Sequence, residues 1–157
     1  MIVHPTWTTF SVVALAFLAT LTLSAHADET VTIGGSRAVL IRPAKPRASV
    51  ILMPGGSGAI NAGEHGEING LRGNQLVRTR SAYATRGLAV LVVDAGVNLS
   101  SAVQYMAAIK RPVTVVATSR GTQRAAEGIA AGARPDALVL TSGFLSAQSG
   151  SGSNVMS

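Results

Sequence analysis

The chain has no cysteine among its 157 residues. That excludes a thiolate nucleophile, a cysteine metal site and a disulfide framework, and an exported form would need no oxidative folding. Aromatic residues are scarce at 4%, and only 13% of the chain is charged. Lys and Arg total 13 against 7 Asp and Glu, a formal charge of +6 and a pI of about 11.1. The basic residues are scattered rather than striped with aromatics, so no nucleic-acid partner is expected and the balance suits solubility. Histidine is rarer still. There are three, and none follows His65.

What is abundant is apolar. At 47% hydrophobic, the chain can build a core, and its length allows one domain. The N-terminal residues Met1–Ala27 read as a secretory signal. Phe10 to Leu23 is an apolar stretch too short to span a bilayer comfortably, and Ala25-His26-Ala27 is a small-x-small cleavage motif. The mature chain then starts at Asp28, destined for the periplasm or the medium with no stable membrane anchor. One feature departs from the pattern: before the apolar stretch there is His4 but no Lys or Arg. A misassigned start or an uncleaved signal anchor would also give that departure.

Residues 28–145 read as the domain and 146–157 as a Ser/Gly-rich tail without periodicity. Thr30 to Ile33 and Arg37 to Arg42 flank Gly34-Gly35-Ser36 and predict a hairpin. Four continuous aliphatic runs follow: Ser49–Met53, Leu88–Val93, the run after Pro112, and Ala137–Thr141. Runs without alternation predict strands buried on both faces, as in a parallel sheet. Between them, helical patterns are expected at Asn74–Arg86 with Gly87 as the C-terminal cap, from a Ser100 or Ser101 cap to Ile109, and at Gln123–Ala131. The fold class is therefore α/β: an open, mostly parallel sheet with right-handed crossovers and helices on both faces. Pro54–Gly58, Asp94, Ser119 and Ser142 each follow a strand, so they collect on one edge of the sheet, where such folds place their sites.

The chain is organised around Val113-Thr114-Val115-Val116-Ala117-Thr118-Ser119-Arg120-Gly121-Thr122. A β-branched run meets a serine among small residues, and a helical pattern follows at once. This is the layout of a nucleophile elbow, with alanine in place of the first glycine of G-x-S-x-G. The bland alternative is a capping serine at a strand-to-helix turn. The companion loop Gly55-Gly56-Ser57-Gly58 lacks the Lys of a phosphate-binding loop, and from Gly56 it fails G-x-G-x-x-G at the last position. A nucleotide-binding domain is thus a distant possibility. An oxyanion hole is the other use of such a loop, with the backbone N–H of Gly56 or Ser57 beside that of Arg120.

Taken in order, the Pro54–Gly58 loop, Val92-Val93-Asp94, Ala117-Thr118-Ser119-Arg120-Gly121 and the Ala137–Thr141 strand resemble the α/β-hydrolase superfamily. The resemblance covers Val31 to Gly143. It implies an exported serine hydrolase acting on a small-molecule ester or related acyl compound. Ser119 would be the nucleophile and Gly56, Ser57 and Arg120 the oxyanion donors, with no metal or other cofactor. Oligomeric state is left open.

The departure from the family lies after Ser119. There the acid and the histidine should follow, yet the chain offers only Asp136, ahead of the last strand and at the wrong edge, and no histidine. His65 sits in a loop, where a solvated side chain is the usual outcome. Asp94 is expected to cap its own turn. The resemblance therefore predicts a fold incomplete at its C-terminus, its last strand presenting an unprotected edge and exposed apolar surface: a fragment whose acid and base lie on further strands encoded downstream, and which is inactive by itself. The alternative is a non-catalytic binding protein on the same scaffold.

Overall fold

Aliphatic runs and periodic stretches become strands and helices almost where the pattern placed them. The computed structural model describes residues 27–143; the expected leader, up to its last residue, and the Ser/Gly-rich tail lie outside the described residues. In chain order the elements are β1 (Asp28–Ile33), β2 (Ser36–Ile41), β3 (Ala48–Met53), α1 (Gln75–Ala84), β4 (Leu88–Val93), α2 (Leu99–Ile109), β5 (Val113–Thr118), α3 (Arg120–Ala130) and β6 (Ala137–Thr141).

The strands form one sheet in the order β1-β2-β4-β3-β5-β6. The hairpin β1–β2 joins antiparallel to β4, and β4, β3, β5 and β6 run parallel to one another. Successive side chains on a strand point to opposite faces. Ile51 and Met53 of β3, with Leu91 and Val93 of β4, therefore enter one core, beneath α2 and α3. Val50, Leu52, Val90 and Val92 enter the other, beneath α1. Both faces are dry, which is why these strands show no polar alternation. Helices lie on both sides, as the sequence predicts.

Local chemistry ends the helices. Asn74 caps α1 by accepting from the Leu76 amide at 3.0 Å. Gly87, with φ +78, follows two residues after the C-cap Thr85 rather than being the cap itself. For α2 the cap is Asn98, accepting from Ser101 N–H at 3.0 Å, and not Ser100 or Ser101. At the far end of α2, the buried Ser49 hydroxyl of β3 bonds the carbonyls of Met106 (3.1 Å) and Lys110 (2.6 Å). Helix α3 begins at Arg120, ahead of the expected Gln123, because the turn before it is only one residue long.

The run Ala137–Thr141 is a strand; it is not buried as its composition suggests, but leaves the apolar edge open that was expected of the last strand: Leu138 is 38% and Val139 45% exposed. Among the described residues β6 has a single neighbour, β5, and composition alone does not supply the second. Because β3 to β6 run parallel, Met53, Val93, Thr118 and Thr141 end at one edge, and the loops that follow them meet there.

Candidate active site

Between β5 and α3 stands one residue, Ser119, with φ 52° and ψ −129°. A non-glycine residue there is strained by about 1–3 kcal/mol, so its surroundings must hold it. They do so through the backbone. Its amide donates to the Thr141 carbonyl at 3.1 Å, and its own carbonyl accepts from the Thr122 amide (2.9 Å) and hydroxyl (2.7 Å).

Two glycines admit the β3 loop to this turn. A Cβ on Gly121 would collide with the carbonyl oxygen of Met53 and lie 2.9 Å from that of Pro54. A Cβ on Gly55 would lie 2.8 Å from Ser119 Cβ and 3.1 Å from the Thr118 oxygen. The alanine at the first small position of the motif is accommodated because Ala117 is fully buried in the α2–α3 core, away from the turn. Ser119 is half-buried, and its side chain makes no capping hydrogen bond to α3. The capping explanation of this serine therefore fails.

The companion loop turns tightly, with Gly58 N–H donating to the Gly55 carbonyl at 3.2 Å. Gly56, with φ +60, and Ser57 are exposed. Among the described residues neither donates its amide to a backbone carbonyl. The Arg120 amide, first in α3, has no intrahelical acceptor. Three amides without backbone partners thus belong to the segments that meet at Ser119. The Arg120 side chain is exposed.

Asp94 does more than cap its turn. Besides Ala95 N–H (2.8 Å), its carboxylate accepts the amides of Ile60 (3.1 Å) and Ala62 (3.2 Å). It ties the far end of the glycine loop to the tip of β4. Nothing in the local sequence around Asp94 signals partners more than thirty residues away.

The other candidates lie elsewhere. His65 is exposed; its backbone amide, not its imidazole, contacts the Glu67 carboxylate at 2.8 Å and holds that carboxyl below its ordinary value. Asp136 bonds Val113 N–H (2.7 Å) and Arg111 (2.5 Å) at the opposite edge, as expected. Ser142 is exposed at the end of β6. Among the described residues no three His, Cys, Asp or Glu side chains gather as a metal site, and no helix is long and apolar enough to cross a membrane.

No family model matches the chain, and no curated protein sequence matches it. Solved structures do. TT1662 from Thermus thermophilus is 19% identical with a TM-score of 0.57, over 80% of this chain and 60% of that one. EstE5, soaked with p-nitrophenyl butyrate, is 14% identical with a TM-score of 0.55, over 77% of this chain and 45% of its own. An esterase/lipase from an uncultured bacterium is 14% identical with a TM-score of 0.54, over 78% and 46%. The chain thus spans 45–60% of the length of these structures. Strand order, elbow and structural likeness agree: the chain has the α/β-hydrolase-like fold.

Proposed function

We propose that the protein is a serine hydrolase of the α/β type, acting on an ester or related acyl bond of a small molecule. Ser119 is its nucleophile. The observation that carries this reading is the strained, uncapped serine at the β5–α3 turn, pressed against a glycine loop with free amides. Strain retained at a hydroxyl that caps nothing points to use of that hydroxyl. Esterase neighbours such as EstE5 support the substrate class.

In the reaction, the Ser119 hydroxyl attacks the carbonyl carbon and its proton passes to a base. The amides of Gly56 or Ser57, with that of Arg120, hold the oxyanion, a contribution commonly worth a few kcal/mol. Collapse releases the alcohol and leaves an acyl-serine, which water cleaves. His65 is exposed, and its backbone amide bonds Glu67, so this reading assigns the acid and histidine outside the described residues. Export belongs to the same proposal: β1 starts at Asp28, directly after the cleavage motif, so loss of the leader leaves the sheet whole. N-terminal sequencing of the exported protein should begin at Asp28.

The test is hydrolysis of a p-nitrophenyl ester by the product of the complete reading frame. Activity abolished in Ser119→Ala, with unchanged folding, is the expected result. Equal activity in the variant, or none in the parent, overturns the reading, and the second result favours a binding scaffold.

A further inference from the structure

Arg124 sits one turn into α3 and is half-buried. Its guanidinium does not point to solvent. It reaches back under the glycine loop and donates through Nη2 to the Pro54 carbonyl. Nη1 occupies the space where a Cβ on Gly58 would stand, and Gly58 has φ +76. Its guanidinium thus fills the room that the absence of a side chain at Gly58 leaves open.

Burial works against this charge and lowers the Arg124 pKa, while the carboxylates of Glu127 and Asp94 act the other way. Beside it lies a cavity of ≈ 250 Å³ lined by Asp94, Asn98 and Glu127 among others. A long cation with open space next to it is instead held against a main-chain carbonyl. A charge-assisted bond to a carbonyl is among the stronger hydrogen bonds available to a loop. Asp94 anchors the other end of the same loop, at Ile60 and Ala62. Between the two anchors lie Gly55, Gly56, Ser57 and Gly58, flexible residues that order themselves poorly.

We propose that Arg124 is a positioning residue: it locks the Pro54 end of the glycine loop, which meets Ser119 at Gly55, so that the Gly56 and Ser57 amides that follow are held in one place. The proposal rests on the hydrolase reading above. It assigns Arg124 no contact with substrate. An oxyanion donor displaced by an ångström loses much of its effect on the transition state and little of its effect on substrate binding.

The experiment has two arms. In the first, amide hydrogen exchange is followed on the 157-residue chain for the parent, Arg124→Met and Arg124→Lys. The methionine variant should exchange roughly tenfold faster at the hydrogen-bonded amides of the loop, Gly58, Ile60 and Ala62, while β3 to β5 stay protected. The lysine variant should recover part of the protection, because its ammonium can still donate to Pro54. Unchanged exchange in the loop, or an equal rise throughout the chain, overturns the proposal. In the second, p-nitrophenyl acetate hydrolysis is measured on the product of the complete reading frame. Arg124→Met should lower kcat about 10- to 100-fold with KM within about twofold, partly rescued by Arg124→Lys. Full kcat in Arg124→Met, with an active parent, overturns the positioning role and leaves the hydrolase reading standing. An inactive parent overturns the hydrolase reading and the positioning role with it.

Discussion

Strands β5 and β6 lie side by side in parallel register, and each is followed by a serine with positive φ, Ser119 at 52° and Ser142 at 49°. Their surroundings differ. Strand β5 is buried along almost its whole length between β3 and β6, and its serine leads at once into a helix pinned against Met53 and Pro54. Strand β6 is exposed at Ala137, Leu138 and Val139, and its serine stands in solvent. A positive φ is therefore not enough to mark a site. Ser119 differs because a second loop is packed against it and because its hydroxyl is left out of the capping that its backbone performs.

The largest contrast should appear in stability. Ile51, fully buried in β3, should lose about 2–5 kcal/mol on substitution by alanine. Val139→Ala in β6 should change stability by no more than about 0.5 kcal/mol. Urea denaturation of the two variants checks this; equal losses would mean that β6 is as deeply packed as the centre of the sheet.

Next comes the contact that builds the elbow. Gly121→Ala places a methyl against the carbonyls of Met53 and Pro54, backbone atoms that cannot swing aside. A loss of about 1–3 kcal/mol is expected, together with displacement of Ser119 from the loop. Thermal unfolding and crystallography of the variant would show both. A neutral substitution would mean that the loop and elbow are not in contact.

A smaller effect compares the serines directly. Replacing either by glycine removes a Cβ from a strained backbone and should stabilise by about 1 kcal/mol. In the product of the complete reading frame, Ser119→Gly should abolish the proposed ester hydrolysis, whereas Ser142→Gly should leave it intact. Loss of activity in both would erase the distinction drawn between the two turns.

These contrasts also separate what was legible in the sequence from what was not. Aliphatic runs revealed β3, β4 and β5, since strands dry on both faces have no alternation to hide. Ala117-x-Ser119-x-Gly121 revealed the elbow, because a one-residue turn tolerates only small neighbours. The exposure of β6 was legible from its place and not from its composition: Ala137–Thr141 reads like β4, but as the last strand before a missing neighbour it was expected to leave an apolar edge open. The start of α3 was placed late because Gly121 and Thr122 carry weak helix preference, overridden by the geometry of the turn. Neither Asp94 at Ile60 and Ala62 nor Arg124 at Pro54 announced itself, since each bond closes a loop of more than thirty residues. Polar side chains that steady a loop from a distance leave no periodic trace.

Covalent labelling bears most directly on Ser119 as nucleophile. The product of the complete reading frame would be treated with a fluorophosphonate and digested, and the adduct mapped by mass spectrometry. One phosphonylated serine is expected, in the peptide carrying Ser119, with no labelling in Ser119→Ala or in heat-unfolded protein. An adduct on another serine, or none on the folded protein, would contradict it.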